Sequence, residues 1–347
     1  MSYDVAFIGT GPDPENPKWG ESAAMAYRHA EGYDQLESCN IVAVADLVEE
    51  HALVFADRYN IPEARVYEDF EAMLVAAQPD VVSIATPVPT HAQIVISCIE
   101  HPNAPTAIHC EKPMADTYAA SKRMATVADE AGVQLTFNHQ RRFGDAWQRA
   151  DRLLHDGAIG ELERIEIGGK NFLDYGTHLI DLANKFAGST RATWVLAQVD
   201  YRDLNVRYGT HNENQGVAHW QYENGVQGLA LVADNESRQP WDHRLVGSDG
   251  MIEINGNHGA LTVFDADGWT EYEVEDGDAI AGAIAHIIDC LEDGTEPELS
   301  AANALAATEI IFGAWESVRQ RGRIDFPLAI EDNPLEDLVD RGKLSPE

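Results

Sequence analysis

The chain predicts an α/β architecture in two parts: an N-terminal doubly wound parallel sheet, then an α+β domain built on a large, mostly antiparallel open sheet. Three observations predict it. Short apolar, β-branched runs alternate with helical stretches from Val5 to Phe137, and such alternation calls for a parallel sheet with right-handed crossovers. The first run ends in Gly9-Thr10-Gly11, a glycine spacing that belongs at the turn between a strand and a helix N-terminus. Beyond residue 160, strand-like segments succeed one another with turn signals between them, among them Glu223-Asn224-Gly225 and Ser248-Asp249-Gly250, as antiparallel strands do.

At 347 residues the chain is long enough for two domains with substantial cores. Nothing in it approaches the ~18–20 consecutive apolar residues that span a bilayer. Met1-Ser2-Tyr3-Asp4 runs directly into the first apolar run without a basic region or cleavage site, so no signal peptide is expected. The four cysteines, Cys39, Cys98, Cys110 and Cys290, form no Cys-x-x-Cys pair; they fit a reducing cytoplasm and argue against structural zinc. Fifty-nine Asp and Glu stand against 24 Lys and Arg, a formal net charge of −35, and only six of the bases are lysines. The acids are spread along the chain and read as a solvated surface. Such a surface repels itself in dilute buffer, and concentrated salt removes most of that cost because the screening length falls to about 3 Å at 1 M. The expectation is a cytoplasmic protein from a high-salt cell, with neither nucleic acid nor a membrane as partner.

Val5-Ala6-Phe7-Ile8 is the first expected strand. Gly9 and Gly11, with Thr10 between them, would let a pyrophosphate approach backbone N–H groups at the start of a helix expected over Glu21 to Ala30. The third glycine of the usual fingerprint is missing, and Pro12 to Gly20 must loop out instead. Asn40 to Ala45 is the second strand and ends in Asp46. A carboxylate there accepts hydrogen bonds from adenosine ribose hydroxyls and repels a 2′-phosphate. No Arg follows at once, so NAD is expected over NADP. Asp46 equally fits a helix cap, with Glu49 three residues on as in a capping box.

Helices are expected over Glu49 to Tyr59 and Tyr67 to Leu74, then a strand over Asp80 to Thr86 and a helix opened near His91 after Pro87 and Pro89. The next apolar run, Ala107-Ile108, delivers Glu111 and Lys112 to its carboxyl end before Pro113. That is the edge where open α/β sheets bind ligands, although such a pair alone also suits an ordinary strand end. Gly132 to Phe137 closes the series and leads into Asn138 and Arg142.

Past residue 140 the pattern changes. A helix is expected over Trp147 to Leu154 and a strand over Leu162 to Ile167, before Asp174-Tyr175-Gly176-Thr177-His178-Leu179-Ile180-Asp181. On a helix, Asp174 and His178 share a face, as do His178 and Asp181. Flanking carboxylates raise a histidine's pKa and hold one tautomer, which suits a general base that removes an alcohol proton. A capped helix start with an inward-packed histidine fits the same residues. Strands are expected over Ala192 to Tyr201, Val217 to Tyr222, Val226 to Ala233, His243 to Gly247, Met251 to Ile254 and Ala260 to Asp265, and helices over Ile280 to Leu291 and Ala301 to Arg319. Tyr208 to Gln215 reads as a solvated loop from which His211 or Asn214 could reach a substrate. No His-x₃-His pair or Cys cluster has ligand spacing, so no metal is expected. The acidic stretch from Glu331, punctuated by Pro334 and Pro346, is expected to add no further order.

Gly9-Thr10-Gly11, Asp46, Thr86-Pro87 with His91, Glu111-Lys112-Pro113 and Arg142-Phe143, in this order and spacing, resemble the glucose–fructose oxidoreductase/inositol dehydrogenase/MocA (Gfo/Idh/MocA) family of nicotinamide-dependent oxidoreductases. Asp174, Gly176, His178 and Asp181 match the family's second-domain pattern, so the resemblance covers both halves. It implies an NAD(P)-binding Rossmann domain over residues 1–140, a substrate-binding and oligomerisation domain over 141–330 and an acidic tail over 331–347. It also implies a cofactor site made by Gly9, Thr10, Gly11, Asp46, Thr86, Pro87, His91, Glu111 and Lys112. Lys112 would lie beside the nicotinamide and the substrate hydroxyl, and His178 would be the general acid/base supported by Asp174. Asn138, Arg142 and His211 are candidate substrate contacts.

The implied reaction is hydride transfer between NAD and a secondary alcohol of a sugar, cyclitol or related polyol, in a homodimer or homotetramer. The chain departs from the family in its long first loop. It departs again in the short connection between Ile167 and His178, where many members carry a substrate-touching loop, so the substrate does not carry over. Two other readings stay open: a redox-neutral sugar-modifying enzyme that retains its NAD, and a regulatory protein that binds the cofactor without catalysis. Intact Lys112, Asp174 and His178 count against the second.

Overall fold

The computed structural model describes residues 2–15, 24–235, 239–256, 259–274 and 277–345. The chain divides into two compact units. The first comprises Met1–Ala115, Ala120–Asn138 and Ile280–Ala302. Its elements run β1 (Tyr3–Ile8), α1 (Met25–Asp34), β2 (Cys39–Ala45), α2 (Glu49–Arg58), β3 (Val66–Tyr67), α3 (Phe70–Ala77), β4 (Val81–Ile84), α4 (Val88–Glu100), β5 (Ala107–Cys110), α5 (Tyr118–Ala131) and β6 (Gln134–Phe137). The six strands pair in parallel in the order β3-β2-β1-β4-β5-β6. Their residues are apolar and buried almost without interruption, from Val5 and Phe7 on β1 to Leu135 and Phe137 on β6. A sheet covered on both faces requires this pattern.

Two details of this unit differ from expectation. Tyr67 belongs to the short strand β3, not to a helix; α3 starts only at Phe70, where Asp69 caps it by accepting the Glu71 N–H at 2.9 Å. The unit is also not one continuous stretch ending near residue 140. β6 is an edge strand, and edge N–H and C=O groups need partners. The returning segment supplies them: Leu299 O accepts the Phe137 N–H at 3.0 Å, and Ile287 O accepts from the Gln134 side chain at 2.9 Å.

The second unit comprises Asp116–Ala119, His139–Ala279 and Asn303–Glu347. It holds α6 (Asp145–His155), β7 (Leu162–Gly169), α7 (Gly176–Phe186), β8 (Ala192–Asp200), a small hairpin of β9 (Val206–Arg207) and β10 (Thr210–His211), then β11 (Gln215–Tyr222), β12 (Gln227–Ala233), β13 (His243–Gly247), β14 (Met251–Asn255), β15 (Ala260–Asp265) and β16 (Gly268–Glu273). Helices α8 (Ala279–Asp293) and α9 (Ala301–Gln320), strand β17 (Ile324–Asp325) and helix α10 (Pro334–Asp340) complete the chain. Nine strands form one sheet in the order β16-β15-β14-β13-β7-β12-β11-β8-β17. Only β7 and β12 pair in parallel. One face buries Trp220, Tyr222, Ala230 and Val232 in a core shared with Phe172, Phe312 and Trp315; the other leaves Leu196, Val217 and Leu231 exposed.

The stretch from Glu331 is ordered, contrary to expectation. Pro334 opens α10 at a position where its missing N–H costs nothing, and Asn333 Oδ1 accepts the N–H groups of Leu335 and Glu336. Pro346 lies outside the described residues.

Candidate active site

In the first unit, β1 and β4 lie side by side where the strand order reverses. Doubly wound sheets bind ligands in that crevice. Gly9 follows β1 with φ +79°, and a β-carbon there would stand 2.5 Å from the Thr86 methyl carbon. Backbone conformation and close approach both demand glycine. Asp46 Oδ2 accepts the N–H of Thr10 at 2.7 Å, the N–H of Gly11 at 3.1 Å and the Thr10 hydroxyl at 3.0 Å. Its Oδ1 accepts the Val48 N–H at 2.8 Å. The carboxylate thus ties the glycine turn to the entry of α2. Val48, not Asp46, occupies the cap position of that helix. A carboxylate at the end of the second strand, beside a glycine turn at the switch point, fits the adenosine ribose of NAD. After the turn, Asp13 and Glu15 pair with Arg58 at 3.4 and 3.1 Å. The rest of the expected loop, and the expected helix start at Glu21, lie outside the described residues.

At the end of β5, Glu111 is buried. Its Oε1 bonds His29 Nε2 at 2.9 Å and accepts from the Asn138 amide at 2.6 Å, and its Oε2 accepts the Lys112 N–H at 3.1 Å. Burial alone would raise this carboxyl. The hydrogen bond and charge of His29, then the charge of Lys112 and the Asn138 amide, outweigh burial and hold it at about 2. Beneath it runs a polar row: Ser83, His109 and Thr136 are register partners across β4, β5 and β6. His29 Nδ1 meets Ser83 Oγ at 2.9 Å, and His109 Nδ1 meets Thr136 Oγ1 at 3.0 Å. Burial, and then the adjacent His29 ring, hold His109 at about 3, so it is neutral.

Asn138 is a buried partner of Glu111. His91 is fully buried, with Nε2 2.8 Å from Thr86 O and Nδ1 3.0 Å from Pro113 O. It braces the Thr86 and Pro113 turns against each other. Burial lowers its pKa against the pull of those carbonyls. Lys112 is half-buried.

In the second unit, α7 starts at Gly176, with Tyr175 at its cap. Asp174 therefore stands in the preceding turn, and the one-helix-face argument holds for His178 and Asp181 but not for Asp174. The turn is held backbone group by backbone group. Glu213 accepts the Phe172 N–H, Asn212 Oδ1 accepts the Asp174 N–H at 3.0 Å, and Asn171 Oδ1 accepts the Tyr175 N–H at 2.8 Å. A β-carbon on Gly176 would lie 2.3 Å from Asn171 O, so only glycine lets the chain enter the helix here. His178 is buried on the first turns of α7, with the His139 ring edge-on at 5.7 Å. His139 Nε2 meets Thr177 Oγ1 at 3.0 Å, and its Nδ1 lies 3.6 Å from Asp181.

Arg142 holds Asp181 in a two-pronged ion pair, Nε to Oδ2 at 2.6 Å and Nη2 to Oδ1 at 2.8 Å, with side chains 3% and 1% exposed. Arg142 thus supports α7 through Asp181. His211 is half-buried on β10, its Nδ1 bonded to the Tyr201 hydroxyl. The neighbouring Asn212 and Glu213 are fully buried, where a solvated loop was expected. Nothing in the local pattern announces His29, His109, Asn212 or Glu213, because each is defined by a partner distant in sequence. Among the described residues no group of His, Cys, Asp and Glu is arranged to hold a metal ion, and no helix is long and apolar enough to cross a membrane.

Residues 4–139 match the oxidoreductase family with an NAD-binding Rossmann fold, GFO_IDH_MocA. Among curated relatives, a D-apiose dehydrogenase of Paraburkholderia graminis is 27% identical, over 84% of this chain and 84% of its own. An inositol 2-dehydrogenase of Rhizobium meliloti is 25% identical, over 85% and 94%. An inositol dehydrogenase homologue of Azotobacter vinelandii, solved with NADH and myo-inositol, shares the fold with a TM-score of 0.78 at 16% identity, over 94% of this chain and 98% of that one.

Proposed function

We propose that the chain, whose residues 4–139 match the Gfo/Idh/MocA family of NAD-binding oxidoreductases, transfers hydride between NAD and a secondary alcohol of a sugar, cyclitol or related polyol. The observation that carries this is the pairing of a glycine turn clamped by Asp46 with Lys112 at the end of the strand that bears Glu111. The dehydrogenases named above act on compounds of this class.

Bound NAD supplies the hydride acceptor. Glu111, His29 and Asn138 fix the backbone from which Lys112 extends, and Lys112 donates a hydrogen bond to the substrate oxygen, stabilising charge as it develops there. Stabilisation of that kind is usually the largest single contribution to catalysis. His178 takes the hydroxyl proton at an imidazole nitrogen. Asp174 orients His178, and the Arg142–Asp181–His139 cluster supports the helix that carries it. Asp46 favours NAD over NADP, since its charge opposes a 2′-phosphate. The test is a substrate screen of the purified protein with NAD, in molar KCl, against polyols and sugars. Net NADH formation supports the reading; a product with cofactor retained and no net NADH identifies the redox-neutral alternative.

The charge of −35 supports a protein adapted to a high-salt cytoplasm. The exposed apolar residues Leu196, Val217 and Leu231, neighbours on β8, β11 and β12, support a homodimer or homotetramer assembled through that sheet face.

A further inference from the structure

Glu213 has no part in the chemistry just described, yet it is fully buried and surrounded by donors. Its Oε1 accepts the Phe172 N–H, and its Oε2 accepts the indole N–H of Trp315 on α9 at 2.9 Å. The preceding residue, Asn212, accepts the N–H of Asp174. Two consecutive side chains thus take alternate N–H groups of one turn, as a neighbouring strand would. No Lys or Arg pairs with Glu213 among the described residues; the charge that acts on it is the Asp234 carboxylate at the end of β12. Asn205 packs on the same segment, donating to Glu213 O at 3.1 Å.

We propose that Glu213 is a positioning residue for the turn that carries Asp174 and leads into His178, and that the turn is ordered only while Glu213 is ionised. The proposal rests on the acid–base role proposed for that turn. An ionised carboxylate accepts on both oxygens, so it satisfies Phe172 and Trp315 together. A protonated one carries a hydrogen on one oxygen, which then accepts far more weakly, so one buried N–H loses most of its acceptor, a costly condition. Burial raises this carboxyl; the hydrogen bonds of its own backbone, Phe172 and Trp315 pull it back, the Asp234 charge adds to the rise, and it titrates at about 7. Protonation therefore falls within the working range of a neutral cytoplasm.

Hydrogen exchange of the peptide over residues 171–175, measured against pH and corrected for intrinsic rates, tests this without any substrate. In the wild-type protein, protection should fall about tenfold as pH drops through 7, the size expected when one buried donor loses its acceptor. Glu213→Gln should show the unprotected value at every pH. Trp315→Phe removes a donor that favours the anion, so its loss of protection should begin at higher pH while the Phe172 bond survives; it also serves if Glu213→Gln does not fold. Once a substrate is known, kcat of Glu213→Gln above pH 7 should fall toward the low-pH value of the wild type, with the affinity for NAD unchanged. Wild-type protection in Glu213→Gln, or an unmoved transition in Trp315→Phe, overturns the proposal. Full turnover in His178→Gln would instead overturn the acid–base reading and leave the exchange result standing.

Discussion

Replacing Arg142 by Leu separates a structural from a substrate-binding role for the most buried cation near His178. The pair it makes with Asp181 is closed on both oxygens and almost entirely removed from water. Removing one partner of such a pair leaves an uncompensated buried charge, which costs about 3–5 kcal/mol. For a cooperative unit of about 150–250 residues, each kcal/mol lowers Tm by about 2–4 °C, so a fall of about 6–20 °C is expected. The assay is thermal and urea unfolding of Arg142→Leu, Asp181→Leu and the double variant. Because replacing a whole buried pair with apolar groups is close to neutral, the double variant should recover much of the loss, with a coupling energy of at least about 2 kcal/mol. Salt should not rescue the single variant, since ions screen exposed charges and not buried ones. A loss under about 1 kcal/mol, together with a raised KM for substrate, would place Arg142 in the substrate site instead.

Three further outcomes follow. Glu111 titrates below its unfolded value, so its ionised form stabilises the fold above about pH 4.5, and that contribution is lost as pH falls from 4.5 toward about 2; wild type and Glu111→Gln should differ by a constant amount at neutral pH and converge across that acid window in pH-dependent urea titrations. The melting temperature should rise markedly between dilute buffer and molar KCl, and a flat response would remove the case for a high-salt adaptation. Val217→Glu should shift the protein to a monomer in light scattering with secondary structure intact; an unchanged mass would place the subunit contact elsewhere.

The fold was legible where local chemistry dictates it. Alternating strands and helices, Gly9 at a positive φ and Asp46 at a strand end are all properties of short segments, and the structure places them accordingly. Partnership across distance was not legible. The ion pair of Arg142 is one case: its partner Asp181 lies beyond α6 and β7, on α7, and no local pattern joins the two. The Tyr208–Gln215 stretch is as polar as a solvated loop, yet Asn212 and Glu213 are buried because the backbone N–H groups of Phe172 and Asp174 need acceptors. The helix at Pro334 was missed because proline ends a helix from within but starts one at its first position. His29 carried no motif, and only the register of Ser83, His109 and Thr136 reveals the polar row it completes.

Lys112 is assigned to the substrate oxygen and is not needed to hold the cofactor. Its most direct test is Lys112→Met, followed by NAD titration and by single-turnover hydride transfer with a substrate found in the screen. NAD affinity should stay close to wild type and hydride transfer should slow by about 100- to 1000-fold, the usual loss when one preorganised donor is removed. Full-rate transfer in that variant would contradict the assignment.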